Sequence, residues 1–220
     1  MPINQEIARL TDLMNNGSAS ATTFAERALC YRMQGRFLLS ERDLDVAIDL
    51  EPNNPVYYMD RGFSCHMQAN HKQAVADFTR SIELAGPASE LAARALRLRI
   101  NAYEGADQPE NAMQDVNLLV EWLPDDLQIR AMRAARLINS NKLQEAWGDI
   151  EHMLSIDDTD LSTCVLYARY LLMRQQYDQA EEILHRVLAD HRDNEDFVEM
   201  YRPYWTEARQ HQGKDVIPDW

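Results

Sequence analysis

The side chains that most often carry chemistry are scattered along this 220-residue chain. Among the histidines, His66 and His71 are five residues apart, a poor spacing for two metal ligands on one helix face. His185 and His191, together with Asp193, indicate a polar surface turn rather than a metal site. The sequence holds no zinc-protease, paired-cysteine, serine-nucleophile, phosphate-loop or calcium-loop motif. We therefore predict that the protein is not an enzyme and binds neither a metal nor a cofactor.

Clustered acids and isolated cysteines both have structural explanations. The two acidic clusters are Asp157, Asp158, Asp160 and Asp190, Asp193, Asp196. Each cluster falls between two helical patterns, where aspartate caps the following helix. The three cysteines, Cys30, Cys65 and Cys164, lie in apolar helical stretches, which favours buried, reduced thiols over a disulfide framework or a metal site.

Composition limits the classes of partner. A formal net charge of -14 argues against nucleic acid and against an anionic membrane surface. The first residues, MPINQEIARLTDLMNNG, lack the basic and apolar regions of a signal peptide, and no apolar run approaches the roughly 18 residues of a membrane span. These features predict a cytoplasmic protein with no nucleic-acid partner and no membrane insertion.

The elements that would position any site repeat along the chain. Five similar segments occur: SERDLDVAIDLEP (40–52), AVADFTRSIELAGP (74–87), AMQDVNLLVEWLP (112–124), AWGDIEHMLSIDD (146–158) and AEEILHRVLADHR (180–192). Their first residues are 34, 38, 34 and 34 apart, and an amphipathic segment precedes each one. This period is typical of a helical solenoid, and the agreement in phase disfavours an irregular bundle with accidental spacing.

Within each period the order of residue types resembles the tetratricopeptide repeat family. In the first unit the matching residues are Phe24, Ala28, Tyr31, Ser40, Leu44, Ala47 and Pro52. The small residues let the two helices of a repeat approach closely, and the large ones fill the groove beside them. The resemblance implies an all-α fold, a right-handed α–α superhelix of about five helix–turn–helix repeats in one domain, 1–220.

The predicted boundaries follow from this pattern. They are 1–20 for an N-terminal cap helix, 21–54, 55–92, 93–126, 127–160 and 161–194 for the repeats, 195–213 for a C-terminal cap helix and 214–220 for an extended tail. The caps should bury one face each, formed by Ile3, Ile7, Leu10 and Met14 and by Phe197, Met200 or Tyr201, Tyr204 and Ala208. Pro203 should kink or restart the last helix. Ile217 and Trp220 of the tail are either disordered or dock in a groove.

One departure from the family pattern recurs. Arginine stands where the family has leucine, at Arg27, Arg61, Arg99 and Arg133. An arginine stem can cover apolar surface while its head reaches solvent, so we expect no functional role for these residues.

The resemblance also implies that the first helices of the repeats line a concave groove. The predicted partner-binding residues are Met59, Phe63, His66, Met67, Arg94, Arg97, Asn101, Gln128, Asn139, Arg169, Leu172 and Met173. The Met-rich early part suits adaptable contact with apolar side chains, and Met59, Phe63 and Met67 should be exposed. Leu29 and Met33 either join this surface or pack on the N-terminal cap.

Charge patterning adds a second expectation. The segments 127–142 and 161–174 hold five arginines, one lysine and no acid, which predicts either a basic groove for an acidic segment or ion pairs between neighbouring helices. Arg97 and Asn101 resemble the start of the family's carboxylate clamp. Met132, Ser162 and Leu166 stand where that clamp needs polar or basic residues, so we do not predict it.

These patterns predict a non-catalytic adaptor that binds a peptide or helix of another protein, possibly acidic, in its groove. One alternative is a cytosolic chaperone for a secreted or membrane client. Another is a self-assembling homo-oligomer in which the Trp220 tail enters a neighbour. RNA binding is disfavoured by the charge.

Overall fold

A computed structural model describes residues 2–214 of the chain, without the side chain of Phe197. Over this range the backbone forms twelve α-helices and no strand, which confirms the predicted all-α fold. None of the helices in the described range is both long and apolar enough to span a membrane. The predictions for Ile217 and Trp220 concern residues outside this range.

The helices are short and similar in length. They are α1 (Ile3–Asn15), α2 (Ala21–Met33), α3 (Phe37–Leu50), α4 (Pro55–Met67), α5 (His71–Ala85), α6 (Glu90–Gly105), α7 (Pro109–Trp122), α8 (Leu127–Asn139), α9 (Leu143–Ile156), α10 (Leu161–Met173), α11 (Tyr177–Asp190) and α12 (Glu195–His211). Helix α6 starts three residues before the predicted third repeat, because the Ser89 hydroxyl caps it by accepting a hydrogen bond from the N–H of Ala92 at 3.2 Å.

The chain divides into two compact units, an N-terminal unit (Met1–Trp122) with α1 to α7 and a C-terminal unit (Leu123–Trp220) with α8 to α12. In the N-terminal unit each helix packs against the next, and α4 also contacts α6. In the C-terminal unit α10 packs against α8, α9, α11 and α12. The prediction of a single solenoid domain over the whole chain stays a prediction.

The turn inside each helix pair has the same backbone form. One residue per turn lies in the left-handed region, with φ between 56° and 70°: Gly35, Ala69, Asp107, Asn141 and Gln175. These residues are 34, 38, 34 and 34 apart, the period of the sequence repeat. Only the first is glycine, so four turns place a side chain where L-residues are strained.

Small residues bring the paired helices together, as the sequence pattern requires. Three of these small residues are at most 1% exposed: Ala28, Ala134 and Ala168. At Gly62 a Cβ atom would lie 2.9 Å from the Phe78 ring, so α4 and α5 can approach this closely only with glycine at that position. Phe78 itself is fully buried.

Each terminal helix buries one face. Leu10 is fully buried in α1, while Ile3, Ile7 and Met14 are half-buried. Helix α12 runs through Pro203 without restarting. Its buried residues are Val198, Trp205 and Ala208, with Tyr201 and Tyr204 half-buried. Met200 is 63% exposed, so of the predicted pair Met200 and Tyr201 only the tyrosine faces inward.

Candidate functional site

The recurrent arginines are held in ion pairs, contrary to the prediction that their heads reach solvent. Each guanidinium binds, through Nε and Nη2, both carboxylate oxygens of an aspartate sixteen residues later, on the second helix of the same pair. The pairs are Arg27–Asp43, Arg61–Asp77, Arg99–Asp115 and Arg133–Asp149, with N–O distances between 2.6 and 2.9 Å. The aspartate side chains are at most 8% exposed.

Two-point contact of this kind is the strong geometry for an arginine and a carboxylate. In the second pair it raises the pKa of Arg61, with the hydrogen bonds to Asp77 as the largest cause. The fifth helix pair lacks the arrangement, because Tyr167 and Ile183 occupy the two positions. Both partners are therefore absent together, and neither charge is left buried alone.

In the N-terminal unit the structure corrects the prediction for Met59. Its side chain is only 2% exposed, because α6 covers this face of α4 and Met59 packs in a core cluster with Ala95 and Ala102. Phe63 is half-buried and Met67 is 49% exposed.

Leu29 and Met33, which the sequence placed either on the groove surface or against the N-terminal cap, are exposed. Leu29 is 45% exposed and Met33 is 72% exposed, so packing on the N-terminal cap does not bury them. Between α2 and α4, Arg32 pairs with Asp60 at 2.5 Å and its guanidinium lies 5.1 Å from the centre of the Phe63 ring. Leu29 and Met33 are therefore exposed apolar residues on either side of Arg32, which is held in an ion pair.

The other predicted residues of the N-terminal unit do not form one site. Arg94 and Asn101 are exposed and Arg97 is half-buried. His66 meets His71 across the α4–α5 turn, with their Nδ1 atoms 3.2 Å apart. A separation of five residues would place the two histidines on different faces of one helix. Here a turn lies between them and brings their rings together. Burial, with His71 as a second cause, lowers the pKa of His66.

In the C-terminal unit the structure brings predicted residues together. Asn139, Arg169, Leu172 and Met173 line one cavity of about 290 Å³. Ile138, Tyr204 and Glu207 complete its lining, so α8, α10 and α12 all contribute. The sequence assigned Tyr204 only to the cap and did not indicate Glu207. Gln128 is exposed and does not line this cavity.

Arg169 is the positive charge of this cavity. Its Nη2 donates a hydrogen bond to Oδ1 of Asn139 at 2.8 Å, and its guanidinium carbon lies 5.6 Å from the centre of the Tyr204 ring. No carboxylate of the described residues forms an ion pair with it. By contrast, Arg130 and Arg133 both bind Asp149, so ion pairing rather than a wide basic groove accounts for these two arginines.

The first acidic cluster forms hydrogen bonds at a helix start, as predicted. Asp160 accepts a hydrogen bond from the N–H of Thr163 at 2.8 Å and caps α10. Asp157 accepts hydrogen bonds from Thr159, which lower its pKa. Across residues 2–214, no three histidine, cysteine, aspartate or glutamate side chains are placed to hold a metal ion.

Comparison with known proteins supports the family resemblance. The model of the family described as tetratricopeptide repeat matches residues 137–201. The human mitochondrial import receptor subunit TOM70 is 25% identical over 178 residues, which cover 79% of this chain. The match spans 29% of TOM70, less than a third of its length.

Solved structures share the fold at low identity. A tetratricopeptide repeat protein from Parabacteroides merdae has a TM-score of 0.74 and 19% identity, over 88% of this chain and 74% of that one. YrrB, described as a tetratricopeptide repeat protein with an unusual peptide-binding site, has a TM-score of 0.64 and 14% identity, over 88% of this chain and 97% of its own. The predicted helical repeat fold of the tetratricopeptide type is confirmed.

Proposed function

We propose that this tetratricopeptide repeat protein is a non-catalytic adaptor whose C-terminal unit holds a short segment of another protein. The fold supports a role in protein interaction in general. The cavity around Arg169 supports the finer proposal that the segment carries a carboxylate beside an apolar side chain. Repeat proteins of this kind commonly bind extended or helical segments of their partners.

This proposal rests on one observation, the position of the Arg169 guanidinium in the cavity without a carboxylate partner among the described residues. Its guanidinium is hydrogen-bonded to Asn139 and lies 5.6 Å from the centre of the Tyr204 ring, yet forms no ion pair with a carboxylate in the described part of the chain. A half-buried, pre-positioned arginine can form a two-point contact with an incoming carboxylate at low entropic cost. Met173, which is 48% exposed, and Leu172 supply adjacent apolar surface.

The test uses a defined probe and one charge-removing variant. We expect a fluorescein-labelled peptide of alternating leucine and aspartate to bind the full chain, and a leucine–asparagine peptide to bind much more weakly. Arg169→Gln should weaken binding of the acidic peptide about ten-fold or more, the size expected for a charge-assisted hydrogen bond. Fluorescence anisotropy measures both constants.

The matched control is Arg192→Gln, which removes an equal charge from an exposed residue of the same unit that does not line this cavity. It should leave the affinity unchanged. Equal affinity of the Arg169→Gln protein and the wild type for the acidic peptide would refute the proposal.

A second candidate function rests on the N-terminal unit. Leu29, Met33 and Met67 are all at least 45% exposed, and flexible methionine surface suits a chaperone that shields an apolar segment of its client. Suppression of client aggregation, lost in a Met33→Glu/Met67→Glu protein, is the expected result. Self-assembly through the tail stays a prediction for residues outside the described range.

A further inference from the structure

A second cavity of the C-terminal unit, of about 400 Å³, shares no lining residue with the cavity around Arg169. It lies between α9, α10 and α11. Its lining consists of aromatic, amide and guanidinium side chains with one leucine: Gln144, Trp147, Tyr167, Tyr170, Leu171, Arg174, Gln176 and Gln179. Carboxylates are absent from this lining.

Three aromatic rings form a continuous strip along one side of the cavity. The Trp147 ring centre lies 5.9 Å from that of Tyr167 and 5.3 Å from that of Tyr170, with interplanar angles of 49° and 31°. Trp147 and Tyr167 are half-buried, so part of each ring remains open to a ligand. Because the rings are tilted and Tyr170 is only 5% exposed, the aromatic surface open to a ligand comes from Trp147 and Tyr167.

The strip exists because the fifth helix pair departs from the other four. In those pairs the position equivalent to Tyr167 is the arginine that binds the buried aspartate. Here tyrosine replaces arginine, and Ile183 replaces the aspartate. Helix packing accounts for the isoleucine, which lies against a buried cluster, but it does not require an exposed tyrosine edge.

Several hydrogen-bonding groups around the strip have no partner among the described residues. Within residues 2–214, no group accepts a hydrogen bond from the Trp147 indole or from the amides of Gln144 and Gln179. Arg174 makes one hydrogen bond, from Nη1 to the Tyr170 hydroxyl at 2.9 Å, and forms no ion pair. Indole and guanidinium groups can only donate, so a complementary ligand places acceptors opposite Trp147 and Arg174. The glutamine amides and the Tyr167 hydroxyl can both donate and accept.

These properties disfavour one common ligand of aromatic sites. A quaternary or methylated ammonium would meet the Arg174 guanidinium, which already lies 5.8 Å from the Tyr170 ring centre.

We propose that this cavity binds a proline-rich segment of a partner protein in the polyproline II conformation. Such a segment has no internal hydrogen bonds, and its prolines lack the N–H, so its backbone presents carbonyl acceptors. Proline rings pack on the aromatic strip, and the carbonyls accept from Trp147, Arg174 and the glutamines. This site is separate from the proposed function, since it uses different residues and a different ligand.

The test measures anisotropy of fluorescein-labelled decaproline with the full chain. Binding to the wild type should weaken about ten-fold or more in Trp147→Ala and in Tyr167→Ala, as expected for aromatic anchors of an interface. Trp147→Phe keeps a ring but removes the donor, so an intermediate affinity is expected. Circular dichroism identifies any variant that fails to fold. If the alanine variants do not fold, the affinity of Trp147→Phe is compared with that of the wild type instead.

Three control results separate this site from the cavity around Arg169. Arg169→Gln should leave decaproline binding unchanged, and Trp147→Phe should leave binding of the leucine–aspartate peptide unchanged. A glycine–serine peptide of equal length should not bind. The proposal is overturned if wild type does not bind decaproline, if both aromatic-to-alanine proteins bind it as wild type does, or if only an acidic peptide occupies this cavity.

Discussion

At the scale of single residues, a buried aspartate in each of the first four helix pairs depends on one arginine. A lone buried carboxylate is costly, and breaking such a pair from one side commonly costs several kcal/mol, whereas replacing both partners by apolar residues can be nearly neutral. The fifth pair, with Tyr167 and Ile183 at these positions, is the double replacement made within the same chain. The ion pairs are therefore needed as pairs, not as single charges.

The Arg61–Asp77 pair offers the clearest test. Arg61→Met should lower the free energy of unfolding by about 3 kcal/mol, because Asp77 then keeps only the Gln73 amide at 3.1 Å as a side-chain partner. Arg61→Met/Asp77→Leu should recover most of that loss. Urea denaturation followed by circular dichroism measures both values. A double variant as unstable as the sum of the two single variants would contradict this account.

The facing histidines predict a dependence on pH. Burial, together with His71, lowers the pKa of His66, so the unfolded chain binds a proton at this site more readily than the folded one. The associated stability is present above the unfolded pKa of about 6.5 and is lost as pH falls through the lower folded value.

Thermal unfolding should therefore differ between wild type and His66→Asn. Between pH 7.5 and 5.5 the melting temperature of the wild type should fall more steeply than that of the variant. Contributions that the two proteins share cancel in the comparison. Parallel curves would show that His66 does not contribute to the pH dependence.

At the scale of elements, the two helices of each pair are joined by a turn whose left-handed residue is glycine only in the first pair. Ala69, Asp107, Asn141 and Gln175 have the same left-handed backbone as Gly35. Asparagine and aspartate tolerate this region better than alanine does. Ala69 and Gln175 are thus the turn residues for which glycine should relieve the most strain, and Ala69 loses the smaller side chain.

Ala69→Gly should raise the free energy of unfolding by about 0.5–1 kcal/mol, because the gain from relieving the left-handed strain exceeds the entropy lost by glycine on folding. Ala8→Gly is the matched control, since Ala8 is exposed in the middle of α1 and glycine there should destabilise by about 1 kcal/mol. Chemical denaturation gives both values. A destabilised Ala69→Gly protein would contradict the expectation.

The elements also show what the sequence could predict. Periodicity and residue types were sufficient for the helix pairs, because packing of small on large residues leaves a regular pattern. The arginine–aspartate spacing of sixteen is present in the sequence, but a spacing alone does not show that the two side chains face each other across a helix pair. The prediction that Met59 is exposed was wrong, because its burial depends on α6, more than thirty residues away. Glu207 was not predicted as a site residue, because α12 lies outside the repeat pattern.

At the scale of the whole molecule, charge is divided unevenly. The chain carries a formal net charge of -14, and the first four helix pairs each hold an arginine in an ion pair. Arg169 and Arg174 are cations of the C-terminal unit that form no ion pair within the described range and line different cavities. Other cations, among them Arg94, Lys142 and Arg192, are exposed on the surface. Arg169 and Arg174 differ from these because each lies in a cavity beside an aromatic ring, which favours selective binding of a ligand there.

The reactivity of the three cysteine thiols measures whether each unit is folded, because Cys30 and Cys65 lie in the N-terminal unit and Cys164 lies in the C-terminal unit. Burial raises the pKa of each thiol, that of Cys65 to about 12, and none of the three is more than 9% exposed. Since the thiolate is the reactive form, a disulfide reagent at pH 8 should react with almost no thiol in the native protein. In concentrated urea it should react with all three. Rapid labelling of native Cys65 would contradict this.

The ion pairs have a consequence for how the chain can change length. Each two-point pair joins the helices of a single repeat, so duplication or deletion of one whole repeat gains or loses both charges together. A gene rearrangement with ends between repeats leaves every remaining carboxylate matched. One that cuts within a repeat separates an aspartate from the arginine sixteen residues before it. The pairing thus favours gain or loss of whole repeats over rearrangements that divide a repeat.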